Sequence, residues 1–179
     1  MKTTVLQSLF KIALLLLGMA VGFGCDDSAG LDDPDDPNEW NVTKGPDTSS
    51  YKVTGEGVCW KLANAVENGK SIKNLKEEEG ADYGNSRTFT LSFEGDGTFL
   101  ETGKYIGRSS VNTIEGSYST DPKEWTIQLA EKCATEVIES DFGDRYRELL
   151  AKVRVWAYMD GCLYLYFGNN SYLEYEVQM

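Results

Sequence analysis

The chain has 179 residues, with 29 Asp and Glu against 17 Lys and Arg, no His and 4 Cys, so its formal net charge is -12 and its pI about 4.4. Recognition of phosphate backbones relies on clustered Lys and Arg, so no nucleic-acid partner is expected of this polyanion. The lack of His excludes Ser-His-Asp and Cys-His nucleophilic sites, imidazole bases and the commonest zinc ligand together, and no catalytic residue, metal ligand or cofactor site is expected.

Residues 1–25 carry Lys2 and Lys11 and no acid, then an apolar run from Ile12 to Phe23, then small residues around Gly22 and Gly24 before Cys25. That is the pattern of a secretory signal peptide over residues 1–24. A membrane span needs about 20 mostly apolar residues, and this run is too short and Gly-interrupted. Cys25 directly after Gly24 resembles the lipobox of bacterial lipoproteins, in which the Cys thiol is acylated and becomes the mature N-terminus. The resemblance implies Cys25 as the lipid-attachment residue and the membrane, reached through the N-terminal lipid, as a partner. Gly22 and Phe23 depart from the Leu and small residue usual in that pattern. The stretch CDDSAGLDDPDDP is similar to the acidic export signals of Bacteroidota surface lipoproteins, and Asp27-Ser28-Ala29 resembles their short O-glycosylation motif. These imply a lipid-anchored protein of the cell envelope at the outer membrane, with exposure on the cell surface left open.

Residues 26–50 hold eight acids against Lys44, together with Pro34, Pro37 and Pro46 and almost no aliphatics. Such a stretch buries too little surface to offset its ordering entropy. Residues 25–50 are therefore expected to form the lipidated Cys and an acidic, disordered, self-repelling tether. Paired carboxylates suit calcium, but Asp32 to Pro37 lacks the alternate Asp/Asn and following Gly of an EF-hand loop, which favours a solvated spacer.

Residues 51–179 read as one domain of period-two alternation punctuated by Gly and Asp, the pattern of antiparallel strands and hairpins. Val58, Trp60 and Leu62 alternate with Cys59, Lys61 and Ala63 in a strand that stops at Asn68-Gly69. Ser71 to Arg87, with Glu77 to Glu79 in a row, shows no clean period and reads as a solvated connection. Phe89, Leu91 and Phe93 share a strand face, Gly95-Asp96-Gly97 turns, and Thr98 to Thr102 returns. Tyr118 and the run Trp125, Ile127, Leu129 make the next hairpin, closed through Asp121-Pro122.

Phe142, Tyr146, Leu149, Leu150 and Val153 recur at helical spacing, with Arg145, Arg147, Glu148 and Lys152 on the other face and Ser140 or Asp141 as cap. The final hairpin turns at Asp160-Gly161, which pairs Trp156 with Leu165, Tyr158 with Leu163, Ala157 with Tyr164 and Val155 with Tyr166. Both of its faces are apolar, so both are expected to be covered. The inward set is Trp60, Phe93, Trp125, Trp156 and Leu165. The fold class is α+β, mostly antiparallel β, a small curled or barrel-like sheet with one amphipathic helix.

The order of a Trp-containing strand with an Asn-Gly-Lys turn, FTLSFEGDGTF, SVNTIEGSY, a strand ending near Cys133, DFGDRYRELLAKV and RVWAYMDGCLYLYF resembles the META/HslJ domain over about residues 56–179. Asn112, Gly116, Ser117, Tyr118 and Cys133 match that family's elements, while Val111 stands where the family has its first Cys. The resemblance implies a small β-rich domain with one helix in exported bacterial proteins, linked to stress responses, and brings no catalytic residues. It leaves Cys133 without the family's disulfide partner.

Cys59, Cys133 and Cys162 form an odd set, which permits one disulfide and one free thiol. Strand parity turns Cys59 away from the Trp60 side and Cys162 away from the Leu163 side, so a bridge between them requires neighbouring strands. At least one free thiol is expected, with Cys133 the first candidate. Tyr158, Tyr164, Tyr166, Tyr172 and Tyr175 crowd the last two hairpins. Aromatic platforms suit sugars or apolar ligands, though strands favour aromatics for packing alone. The expectation is a lipid-anchored, non-enzymatic envelope lipoprotein with a binding or envelope-support role toward an unknown protein, small-molecule or glycan partner. The alternative is a lipocalin-like surface lipoprotein binding a small molecule or glycan. A wide apolar cavity open at one end favours the alternative, and a filled interior favours the first.

Overall fold

The computed structural model describes residues 36–72, 88–135 and 138–178. Its strands are β1 (Gly45–Pro46), β2 (Trp60–Glu67), β3 (Lys70–Ser71), β4 (Thr90–Phe93), β5 (Thr102–Arg108), β6 (Thr113–Asp121), β7 (Thr126–Ala134), β8 (Val155–Met159), β9 (Cys162–Gly168) and β10 (Ser171–Val177), with the helix α1 (Asp141–Lys152) between β7 and β8. The alternation read in the sequence becomes sheet because each strand has one apolar face to bury. Neighbours run β8-β7-β6-β5-β4-β2-β10-β9, and β9 pairs back onto β8, so the antiparallel sheet curls into a ring.

The ring is not a regular barrel. β7 and β8 share only the register pair Thr126 with Val155, and α1, which packs against β7 and β9, turns Tyr146, Leu149 and Leu150 into the core. Ser140 caps the helix by accepting from Gly143 N at 3.0 Å, Asp141 and Asp144 lie in its first turn and Lys152 in its last, as the helix dipole favours. It ends at Val153, whose backbone is extended while its N–H still reaches Leu150 O.

The interior is filled. Trp60, Leu62, Phe89, Leu91, Ile114, Ile127, Leu163 and Tyr175 belong to one buried cluster with Tyr118, Tyr146, Leu149, Trp156 and Leu165. The large polar rings are accommodated by bonding their tips: Trp60 Nε1 donates to Val53 O at 2.9 Å, Tyr118 Oη donates to Glu94 O, and Tyr146 and Tyr175 hydroxyls meet at 3.0 Å.

The last hairpin takes the expected register, with Trp156 opposite Leu165 and Val155 opposite Tyr166. Its outer face is covered from the chain's own N-terminal side. Trp40 packs on Val155, Ala157 and Tyr166, with Val42, Met159, Tyr164 and Tyr172 around it. β1 pairs in parallel with β8, Asp47 N donates to Tyr158 O at 2.9 Å, and Asp160 N donates to Asp47 Oδ2 at 3.0 Å.

The stretch expected as tether up to residue 50 therefore carries contacts of its own from residue 36 on. Residues 36–50 pack on β8 and on the outer face of the last hairpin. Composition misleads here because one Trp supplies the apolar anchor and β8 supplies an open sheet edge, so burial and backbone pairing replace the aliphatics the segment lacks. Residues 1–35, which include the expected signal peptide, Cys25, Asp27-Ser28-Ala29 and most of the acidic run, lie outside the described residues, as do Glu77 to Glu79.

Two further expectations change. The strand returning from β4 is Thr102–Arg108, not Thr98 to Thr102. Backbone groups just after β4 are taken by residues 53–55, with Val53 N donating to Gly97 O at 2.7 Å and Gly55 N to Phe93 O at 3.0 Å, so pairing resumes only at Tyr105 opposite Phe93. Trp125 is at the rim, partly exposed, with φ of 57°. It sits edge-on to Trp156 at 5.4 Å, and the backbone of Gly45 lies so close that a Cβ there would strike its indole.

Candidate functional site

The described thiols do not converge. Cys59 and Cys162 are both free, and β10 lies between their strands. Cys59 Sγ donates to Gln178 Oε1 at 3.3 Å. Burial pushes the Cys162 thiol pKa up, and Glu174, Glu176 and Asp160 add to it, so this thiol is not activated. The side chain of Cys133 lies outside the described residues, although its backbone pairs opposite Glu115.

The five tyrosines separate. Tyr175 is in the core and Tyr158 lies at its margin, edge-on to Trp60 at 6.4 Å. Tyr164, Tyr166 and Tyr172 stand together outside, with Tyr164 and Tyr166 stacked at 6.3 Å and Tyr172 edge-on to both at 5.7 and 5.8 Å. Burial first, then Glu174, raises the Tyr164 hydroxyl pKa, and that hydroxyl donates to Glu174 Oε1 at 3.1 Å. Packing under Trp40 accounts for most of this trio.

Beside Trp40 opens a groove of about 630 Å³ lined by Trp40, Glu67, Asn68, Lys152, Arg154, Phe167, Gly168, Asn169 and Ser171. Sequence positions far apart meet here because two hairpin turns and the C-terminal end of α1 share one end of the ring. Asn68 and Asn170 have φ of 51° and 54°, values that Asn tolerates and that tight hairpins require. Gly69 N donates to Asn170 O at 2.8 Å and Asn68 N to Ser171 Oγ at 3.0 Å, which locks the two turns together. Asn41 N donates to Asn169 Oδ1 at 2.9 Å and closes the side nearest Trp40. No motif in the sequence marks this groove, because its residues lie far apart along the chain.

A second surface groove, of about 810 Å³, runs over β4, β5 and β6 past Lys104, Ile106, Glu115, Ser117 and Lys132. A smaller cleft of about 440 Å³ separates α1 from β7 and is bridged by Arg147 with Glu131. It contains Tyr105, whose hydroxyl pKa is pushed up to about 12 by burial and Glu131, with Arg147 opposing.

One buried polar cluster was not anticipated. The Glu139 carboxylate accepts from Ser109 Oγ, from Ser110 Oγ at 2.7 Å, Asn112 Nδ2 at 3.0 Å, Val111 N at 3.2 Å and Ser140 N at 3.2 Å. Burial alone would raise its pKa, but the bonds from Ser109, Ser110, Asn112 and Val111 outweigh it and hold the carboxyl at about 2. Ser109, Ser110 and Asn112 are themselves buried. These donors meet on one ionised carboxylate, so the arrangement is a latch between the β5–β6 turn and α1. Among the described residues no group of three or more Cys, Asp or Glu is placed to hold a metal ion, and no helix is long and apolar enough to cross a membrane.

No family model matches the chain, and no curated protein matches it. Among solved structures, the crystal structure of a DUF4847 family protein from Bacteroides vulgatus is similar, at 18% identity over 66% of this chain and 90% of that one, with a TM-score of 0.46.

Proposed function

We propose that the protein is a lipid-anchored, non-enzymatic lipoprotein of the cell envelope whose META/HslJ-like domain binds a partner, or supports the envelope, through its outer surface. The observation that carries this reading is the filled interior. Where a lipocalin-like barrel keeps space for a ligand, this ring holds Trp60, Tyr118, Tyr146 and Tyr175, all among its largest fully buried side chains. A ligand is therefore taken on the surface. The anchor itself rests on Gly24-Cys25 and the segment before it.

The second reading is glycan or small-molecule binding at the surface, favoured by the groove beside Trp40. Fractionation of the full chain and its Cys25→Ala variant tests the anchor: the wild type is expected in the membrane fraction and the variant out of it or unprocessed. Equal membrane retention of both would overturn lipidation. Titration with an environment-sensitive apolar dye tests the interior, and saturable uptake at a single internal site would favour the lipocalin-like alternative.

A further inference from the structure

The groove beside Trp40 is electrostatically unlike the rest of this chain. The protein carries a net charge of -12, yet among the described residues of this groove Lys152 and Arg154 stand against one carboxylate, Glu67, which Arg145 Nη2 pairs at 2.6 and 2.7 Å while Nη1 pairs Glu148 at 2.9 Å. Lys152 has no ion pair among the described residues. Arg154 is aimed by its own backbone neighbourhood, since Nη1 donates to Ala151 O at 2.9 Å and Val153 O at 2.7 Å. Its remaining guanidinium N–H groups have no partner among the described residues, and Arg154 is one of the residues lining the groove. Two cations thus line one groove against a single carboxylate that is itself paired, and a guanidinium fork matches the two oxygens of a carboxylate.

Charge alone would suit any small anion, but the rest of the wall is of another kind. Phe167, half-buried, supplies aromatic surface, the buried Trp40 backs the wall, and the amides of Asn68 and Asn169 supply donors and acceptors at the opening. Aromatic rings suit the C–H faces of a pyranose and amides suit its hydroxyls, while a bare anion needs neither. The size agrees, because about 630 Å³ falls in the range of small-ligand sites, about 300 to 1,000 Å³. The site is built on bonded turns and a helix end, so little ordering cost attaches to binding.

We propose that this groove binds an anionic pyranose, a sugar residue carrying an acidic group such as the carboxylate of a uronic acid within a polysaccharide. Lys152 and Arg154 take the acidic group, Phe167 packs on the ring, and Asn68 and Asn169 bond its hydroxyls. The inference rests on the reading of the domain as a surface binding module.

The test is calorimetric titration of the full chain in detergent with trigalacturonate, neutral galactotriose, sulfated galactotriose and sodium sulfate. Trigalacturonate is expected to bind at least tenfold tighter than galactotriose, with affinity falling as salt rises. Lys152→Glu, at an exposed position, should weaken binding at least tenfold with only a small drop in thermal midpoint, from the lost helix-dipole contact. Asn68→Gly keeps the positive φ and should weaken it several-fold. Tighter binding of the sulfated trimer would keep the anionic pyranose and make sulfate the acidic group. Equal binding of the neutral sugar, insensitive to Lys152→Glu, would overturn the anion preference while leaving a surface binding module. Sodium sulfate binding as well as the trimers would mean a bare anion site and overturn the sugar, and no binding by any probe would overturn the inference, whereas the membrane anchor fails or stands on its own fractionation test.

Discussion

Glu139 shows how one side chain can be decisive without belonging to any motif. Its carboxyl is held at about 2 in the fold against an ordinary 4.5. A depressed carboxylate pKa contributes stability above the ordinary value and loses it as pH falls toward the folded one, so the contribution disappears between about pH 4.5 and pH 2. Glu139→Gln should accordingly flatten the fall of the thermal midpoint across that window, a comparison that calorimetry of the two proteins reads directly. At neutral pH Glu139→Ala removes the acceptor that Ser109, Ser110, Asn112 and Val111 share, at a cost of about 1–3 kcal/mol, visible as a lower urea midpoint. Trp156 behaves differently. It is 2% exposed, and its indole N–H has no partner among the described residues. Trp156→Ala should cost about 3–5 kcal/mol through the cavity it opens. Trp156→Phe should cost much less, since it removes a donor that bonds nothing. If Phe were as damaging as Ala in urea unfolding, the N–H would have to be satisfied in solution.

Elements were legible in the sequence where a single period or turn determines them. The hairpin at Asp160-Gly161 and the helix from Ser140 were readable because a two-residue turn sets register and a 3.6-residue stripe sets a face. β5 was not, because Gly103 and Gly107 interrupt its alternation. The reason is packing: a Cβ at Gly103 would strike the Tyr118 ring, and one at Gly107 would meet the backbone of Thr90 and the side chain of Leu91. β1 was invisible because its two residues pair only through the free edge of β8. That pairing, together with burial of Trp40 to 5% exposure, predicts that the 36–50 segment stabilises the domain. Trp40→Ala should lower stability by about 3 kcal/mol, the low end for buried aromatics, and deleting residues 36–50 should cost at least as much. An unchanged urea midpoint in either would return the segment to the role of a free tether.

At the scale of the whole molecule, strand order decides what sequence parity could only pose. Parity turned Cys59 and Cys162 outward, but whether they can bridge depends on which strands are neighbours. β2 and β9 flank β10, so two interstrand spacings, about 9.6 Å, separate them laterally. They are offset along the strands as well, since Cys59 O accepts from Gln178 N while Leu163, next to Cys162, pairs with Tyr175. A disulfide needs Cα atoms within about 7 Å, so the fold forbids this bridge without distortion. The same topology brings Asn68, Asn169 and Lys152 to one end of the ring although they are distant in sequence, and that is why the candidate groove could not be read beforehand. Both thiols should label in the folded, unreduced monomer. Cys162 should do so slowly at neutral pH and faster as the solution becomes alkaline, because the thiolate reacts and its pKa is raised above the ordinary 9.0 by burial and the surrounding acids. Mass spectrometry after alkylation reads the two sites separately. A peptide linking Cys59 to Cys162 within one chain would show that β10 does not lie between them, and with it the ring order itself would fail.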